Sequence, residues 1–201
     1  MALPKYDKSK RKSNNYIQLP KGAYVIVIKG AKMDKWPSGD ERIAIAFDIA
    51  EGEYKGLYQS QFDSDTRSGK QWPYDAVFNL NVPTDKSEPW VWDTYNSFFA
   101  DLEDSNNGFV FSGDLKALKG KVIGGKFHNR QTEKDGNIYD HIVMKWTCIA
   151  DDVRNNRAGK LPNDKLIGTD TRASGASASS SSDSDGFMDI PDGTVDEELP
   201  F

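Results

Sequence analysis

The stretch Arg42-Ile43-Ala44-Ile45-Ala46-Phe47-Asp48-Ile49-Ala50 decides the fold class, because its side chains alternate strictly between two kinds. Large apolar residues occupy every second position, namely Ile43, Ile45, Phe47 and Ile49. Successive side chains of a β-strand point to opposite faces of a sheet, so this period of two predicts a strand with one face on a core. We therefore expect a mainly β protein.

Segments on either side of this strand also predict β-structure. Residues 22–28 run Gly-Ala-Tyr-Val-Ile-Val-Ile and predict a strand that is buried on both faces. Residues 57–62 follow a tight turn around 51–53 and predict a third strand. A polar loop at 63–75 and an alternating segment at 77–82 then predict a β-hairpin extension with a long tip.

The period becomes helical between residues 88 and 104. Apolar residues there recur at i, i+4, i+7, i+8 and i+11, at positions Val91, Tyr95, Phe98, Phe99 and Leu102. Residues 121–127 and 139–149 predict two further strands, which are joined by a polar turn at 133–137.

Three strands, one helix and two strands are the order of elements in the OB-fold, a five-stranded Greek-key barrel with its helix between strands 3 and 4. Ligands of that fold cross strands 2 and 3, between the loops that join strands 1 to 2 and strands 4 to 5. Those loops are expected here at 33–40 and 129–137. A sandwich of another topology is the alternative, because sequence does not give strand order in space.

Charge divides the chain into three parts. Residues 1–20 read as a flexible basic arm, 21–154 as one folded domain, and 155–201 as a disordered Ser-rich linker with an acidic tail. The net charge is −5, but all 26 Lys and Arg precede Ser182 and seven of the 31 acids follow it. The remaining 24 acids leave the body at +2, so the acidic composition does not argue against a polyanionic ligand.

The chain offers few residues for catalysis, and we expect neither an enzyme, a cofactor nor a metal. His128 and His141 are the only histidines, and neither has a partner at metal-ligand spacing. Residues 120–126 match the start of a P-loop, but Phe127 stands where magnesium binding needs Ser or Thr. Glycines within that apolar strand pattern are better explained by barrel curvature or close backbone approach.

Compartment is constrained by the single Cys148 and by the lack of long apolar runs. One cysteine excludes an internal disulfide and fits a reducing compartment. No apolar run approaches the roughly 18 residues that span a bilayer. The sequence therefore predicts a cytoplasmic protein with no membrane partner.

Single-stranded nucleic acid is bound without sequence reading by cations along a groove and by aromatic rings on which bases stack. The predicted loops and strand ends combine these residue types in three groups: Lys32, Lys35, Trp36 and Arg42; Arg67, Lys70, Trp72 and Tyr74; Lys126, Arg130 and Lys134. Prolines follow Trp36 and Trp72, and such tryptophans also lock loops onto a domain, so stacking and packing both remain open for them. Trp90, Trp92 and Trp146 are assigned to the core.

With these features assembled, the chain resembles single-stranded DNA-binding proteins, particularly those encoded by bacteriophages. The resemblance lies in Gly22-Ala23-Tyr24-Val25-Ile26-Val27-Ile28-Lys29 and in Phe47-Asp48-Ile49-Ala50-Glu51-Gly52-Glu53-Tyr54-Lys55-Gly56. It covers residues 20–150 diffusely and implies the bacterial host cytoplasm as the compartment.

The C-terminal tip carries a sharper resemblance. Bacterial single-stranded DNA-binding proteins end in acidic residues, a hydrophobic residue, proline and phenylalanine, and that tip docks replication and repair proteins. The matching residues here are Asp196, Glu197, Glu198, Leu199, Pro200 and Phe201. The resemblance does not extend to a tetramer, so the oligomeric state, including a homo-oligomer, stays open.

The sequence thus predicts sequence-independent binding and protection of single-stranded DNA during phage replication or recombination, with the tip recruiting replication, recombination or repair proteins. The seven-acid tail is also able to compete with DNA for the basic body. A single-strand annealing or recombination mediator is one alternative, and a protein-binding adaptor of the OB class is another. A nuclease is a remote third.

Overall fold

The computed structural model describes residues 17–167 and comprises five strands and three α-helices in that range. The strands are β1 (Ala23–Lys35), β2 (Glu41–Ile49), β3 (Val77–Asn81), β4 (Val122–Lys134) and β5 (Asn137–Cys148). The helices are α1 (Leu57–Ser64), α2 (Pro89–Ser105) and α3 (Ala150–Arg154). Short 3-10 turns precede β3 at Tyr74–Ala76 and β4 at Leu115–Leu118.

All five strands belong to one antiparallel sheet in the order β3-β2-β1-β4-β5. The edge strands β3 and β5 approach each other, but no hydrogen-bonded ladder joins them within the described residues, so the sheet is not closed. The prediction of a mainly β protein with five strands is confirmed. Helix α2 lies between β3 and β4, as the periodicity predicts.

The prediction of a third strand at 57–62 is wrong, because this segment is helix α1. Gly56 adopts a left-handed conformation with φ 73°, which turns the chain after β2. The Asp48 carboxylate then accepts hydrogen bonds from Tyr58 N at 3.0 Å and Gln59 N at 3.3 Å, and so caps the first turn of the helix. The segment Leu-Tyr-Gln-Ser-Gln-Phe has neither a clean period of two nor a helical period, so the sequence alone does not distinguish strand from helix, and here the cap decides.

The segment at 77–82 is correspondingly no hairpin extension but the third strand of the sheet. Residues of β3 pair with β2 from Arg42↔Asn81 to Ala46↔Val77, and Phe78 and Leu80 point into the core. The predicted loop at 129–137 is also wrong, because β4 continues to Lys134. Only a tight turn remains there, with Asp135 at φ 52° and Gly136 at φ 75°.

The core lies between the inner face of the sheet and α2. Every second residue of β2 contributes to it, as the alternation predicts, and so do Phe98, Phe99 and Leu102 of α2. The glycines of β4 permit the close approach expected of them. A Cβ atom at Gly124 would lie 2.7 Å from Cys148 Sγ, and one at Gly125 would collide with Met144 Sδ.

The assignment of Trp90, Trp92 and Trp146 to the core is wrong, since their exposed fractions are 37%, 41% and 42%. The two helical tryptophans lie off the stripe that Phe98, Phe99 and Leu102 define. Opposite Trp146, the β4–β5 register shifts between Lys126 and Phe127, and this irregularity interrupts the alternation on which the assignment depended.

Both predicted boundaries of the folded domain need correction. Leu19, assigned to the flexible arm, is 3% exposed and belongs to the core. The linker predicted from residue 155 is structured as far as the description extends: Pro162 is fully buried, and Lys165 exchanges backbone hydrogen bonds with β4 through Asn129 O and Gln131 N. Residues 1–16 and 168–201, which include most of the arm and the whole acidic tip, lie outside the described residues.

Candidate nucleic-acid interface

The candidate interface is the outer face of β1, β2 and β3, defined here as the side of these three strands opposite the core. Ile43 and Leu80 form an inward pair, so their neighbours in the register point outward. Lys32, Ala44 and Asn79 make one outward row, and Asp34, Arg42 and Asn81 make the next. Ala44 has no exposed surface, so a ligand would meet the longer side chains of the flanking strands first.

Trp36 is fixed at one end of the outer face by three polar side chains. Its indole Nε1 donates a hydrogen bond to Asn81 Oδ1 at 2.7 Å, and the Arg42 guanidinium lies 4.0 Å from its ring centroid. Arg42 in turn donates to Asp34 Oδ2 from Nη2 at 2.8 Å and from Nε at 3.1 Å. The indole is only half-buried, which leaves ring surface available for stacking.

Arg42 positions Trp36, and its own charge is not available to a ligand. Its side chain is 8% exposed, and its charge is balanced by Asp34. Burial by itself would raise the pKa of Asp34, but the hydrogen bonds from Arg42 and from Lys35 N hold that pKa below its ordinary value. Lys32 is half-buried and belongs to the outward row next to that of Asp34 and Arg42, whereas Lys35 is exposed at the end of β1 and pairs with Glu41 on the opposite side.

Trp72 anchors the loop between α1 and β3 at the other end of the outer face. Its Nε1 donates to Phe47 O at 3.2 Å, and its ring packs 5.5 Å from that of Phe62. Lys70 Nζ lies 4.4 Å from the Phe62 ring, and Lys29 Nζ lies 6.0 Å from the Trp72 ring. For Trp72 the structure therefore shows packing, with part of the indole still exposed.

The same loop contacts the β4–β5 hairpin through Tyr74, whose side chain is 48% exposed. Its ring meets His141 edge to face at 5.4 Å, and His141 pairs in register with Arg130. His141 is held by Asp75 Oδ1 at 2.9 Å and Thr132 Oγ1 at 3.1 Å. The structure thus places Tyr74, of the second predicted group, against the strand neighbour of Arg130, of the third group.

Three predicted residues stand apart from these contacts. Arg67 is 79% exposed, but its guanidinium forms an ion pair with Asp65 at 2.6 Å. Lys134 lies exposed at the end of β4. Lys126 lines a separate cleft of about 290 Å³ between α2, β4 and β5, together with Lys145 and Trp146.

Sequence reasoning missed a second cleft, of about 560 Å³, on the outer side of the sheet. Residues of β1, β2, β4 and the start of α1 line it, among them Lys29 and Lys55. Lys29 directly follows the predicted first strand, and Lys55 precedes helix α1, for which the sequence analysis predicted a strand. Their spatial relation had no signal in the sequence.

Three titratable groups outside the candidate interface, His128, Cys148 and Asp101, have pKa values shifted by burial in the fold. Burial lowers the pKa of His128, whose Nδ1 lies 2.7 Å from Asn163 O, and burial raises the pKa of Cys148 to about 11. A thiol with such a pKa is a weak nucleophile at neutral pH. Burial likewise raises the pKa of Asp101, which accepts a hydrogen bond from Thr147 at 2.6 Å. Between residues 17 and 167, no three His, Cys, Asp or Glu side chains group as metal ligands.

Neither a scan against models of protein families nor a search of curated proteins found a match to this chain. In the described part of the chain, every helix is too short or too polar to cross a membrane.

Proposed function

We propose that the sheet is an OB-type barrel that is left partly open. The strand order β3-β2-β1-β4-β5, the approach of β3 to β5 and the position of α2 all agree with that fold. The OB-fold is itself a partly open Greek-key barrel that binds ligands across strands 2 and 3. On this proposal, the outer face of β1, β2 and β3 is the ligand-binding surface.

The proposed function is sequence-independent binding and protection of single-stranded DNA, without catalysis, during replication or recombination. The observation that carries it is the outer face itself, where a fixed, half-exposed indole at Trp36 lies next to the outward row that contains the cation Lys32. Lysines neutralise phosphates and release counterions, and the ring stacks on bases of any identity. Nothing in this arrangement selects one base over another.

Recruitment of replication, recombination or repair proteins by the C-terminal tip remains part of the proposal. It is supported by the sequence of the last six residues alone, which lie outside the described residues. A tip that docks through a phenylalanine and the terminal carboxylate uses a known mode of peptide recognition. Replacement of Phe201 by Ala should weaken docking while DNA binding is unchanged.

Titration of a fluorescent oligo-dT with the full-length protein tests the main function. We expect tight binding at low salt that weakens as salt rises, and absence of binding at low salt would reject the proposal. Trp36→Ala should cost about 1–3 kcal/mol of binding free energy, which is about 5- to 150-fold in affinity. Trp90→Ala is the control, because Trp90 is another solvent-exposed indole, at 37%, but lies on α2.

An annealing assay with complementary strands distinguishes the proposed function from that of a recombination mediator. A binding protein protects each strand, whereas a mediator accelerates their pairing. Acceleration above the spontaneous rate would favour the mediator.

A further inference from the structure

The cleft of about 560 Å³ on the outer side of the sheet combines apolar residues with two lysines and two carboxylates. Val122, Val27 and Asp48 form one row across β4, β1 and β2, and Ala50 lines the cleft beside them. Lys29 extends from β1 two residues beyond Val27, and Lys55 lies just before α1. The two lysines therefore reach the cleft from different elements.

The acidic groups of this cleft are already hydrogen-bonded within the protein. Asp48 accepts hydrogen bonds from the backbone of Ile49 at 2.9 Å and from the first turn of α1, so its charge is met by amide groups. Glu51 is bound by Arg154 at 2.6 Å, and this hydrogen bond is the main reason that the pKa of Glu51 is lowered. Both carboxylates therefore have their hydrogen-bonding partners, and Lys29 and Lys55 are the cations of the cleft that an anionic ligand would meet.

The lysines are not committed to acidic partners within residues 17–167. Lys29 is half-buried, and its ammonium contact there is with the Trp72 ring at 6.0 Å. Lys55 is exposed and acts on Glu51 through space without forming an ion pair with it. Two such cations beside the apolar residues Val27, Ala50 and Val122 match the phosphates of a nucleotide whose sugar or base packs on those residues.

We propose that this cleft is a subsite for one nucleotide of the bound single strand, with Lys29 and Lys55 on its phosphates and Val27, Ala50 and Val122 beneath its sugar or base. The inference rests on the proposed function and deepens it. Lys29 links the two regions, since it contacts Trp72 as well as lining the cleft. The strand then continues from the outer face past Trp72 towards the start of α1.

The test compares two double variants of the full-length protein, Lys29→Gln/Lys55→Gln and the control Lys86→Gln/Lys160→Gln. Lys86 and Lys160 are exposed and do not line the cleft, so both variants carry the same net charge. Each phosphate contact on a single strand contributes about 0.7 to the slope of log affinity against log salt. We expect the cleft variant to lose about 1.4 from that slope, so its affinity falls about 7-fold less between 50 and 200 mM salt. The control should keep the wild-type slope.

Several outcomes would overturn the inference. An unchanged slope in the cleft variant, with wild-type protein that binds oligo-dT, removes the subsite but leaves the proposed function standing. Equal losses in both variants would show a general charge effect. Both variants are also compared in a background truncated after Ser182: if the cleft variant differs from the control only when the tail is present, the cleft binds the acidic tail and not DNA. Failure of the wild-type protein to bind rejects the function itself and the subsite with it.

Lysine acylation of the wild-type protein supplies a second measurement that does not depend on the folding of any variant. Bound oligo-dT should protect Lys29 and Lys55 from acylation, while Lys86 and Lys160 react as in the free protein. Equal reactivity of Lys29 and Lys55 with and without DNA contradicts the subsite.

Discussion

Replacement of Arg42 by Met tests whether this cation positions Trp36 or contacts a DNA phosphate directly. The substitution removes two charge-assisted hydrogen bonds to Asp34 and the guanidinium that lies 4.0 Å from the Trp36 centroid. Hydrogen bonds to charged groups contribute about 1.5–3 kcal/mol each, and a cation–π contact about 1 kcal/mol. Both hydrogen bonds end on Asp34 Oδ2, and the Asp34 side chain is 25% exposed. Water can therefore hydrogen-bond to this oxygen in the variant and offset part of the lost stabilisation.

We therefore expect Arg42→Met to lower the free energy of unfolding by about 2–3 kcal/mol, measured by urea denaturation. Arg157→Met is the control. Arg157 is 65% exposed and lies 3.4 Å from Asp152, and such surface pairs contribute less than about 1 kcal/mol.

The DNA measurements give the sharper result. Arg42 is buried against Asp34, so its loss should weaken oligo-dT binding through a misplaced Trp36 and leave the salt slope unchanged. Lys32→Gln, in the outward row, should lower the slope by about 0.7. If Arg42→Met lowers the slope as much as Lys32→Gln does, Arg42 contacts phosphate directly and the assignment of a positioning role is refuted.

Three further predictions concern packing, pH and the tail. Gly124→Ala should lower the free energy of unfolding by about 1–3 kcal/mol, because the added Cβ would lie 2.8 Å from Cys148 O. Gly30→Ala is the control: a Cβ at Gly30 would meet no atom within 4 Å, so the free energy of unfolding should change by no more than about 0.5 kcal/mol. Equal effects of the two substitutions would contradict this packing. The pKa of Asp34 is lowered in the folded protein, so its contribution is complete above the ordinary carboxyl pKa of about 4 and is lost as pH falls through the folded value. The stability difference between wild type and Asp34→Asn should therefore shrink between pH 7 and pH 2.5, and a constant difference would exclude the ion pair as its source. Truncation after Ser182 should leave oligo-dT binding equal or tighter, and weaker binding would make the tail part of the DNA site.

Local patterns in the sequence were sufficient for elements with a clean period. The alternation at 42–50 predicts β2, and the helical spacing at 88–104 predicts α2, because each element buries one face and its pattern records that burial directly. Trp146 shows where a pattern within one strand fails to predict burial. The β4–β5 irregularity beside Lys126 depends on how two strands pair, and no pattern within one strand reports it.

The sequence predicted which residue types form the candidate site, but only part of how these residues contact one another. Lys32, Lys35 and Trp36 were found because they cluster in sequence near one turn. Arg42 was found for the same reason, but its burial against Asp34 follows from a cross-strand pair that is set only when β1 and β2 are in register. Sequence proximity therefore identifies the charges near a turn without showing which of them are already neutralised.

The misassigned segment at 57–62 is also what creates the second half of the proposed interface. A strand there would have paired with β2 along its length, whereas β3 pairs only from Arg42 to Ala46 and leaves Phe47 O to accept the Trp72 indole. The helix that replaces the strand begins at the Asp48 carboxylate, and the turn before it carries Lys55 over the end of β2. This one change of secondary structure therefore supplies the Phe62 ring against which Trp72 packs, gives Asp48 its hydrogen-bond donors and brings Lys55 to the same cleft as Lys29. The groove that extends the outer face is thus a consequence of helix α1 at a position where the sequence analysis predicted a strand.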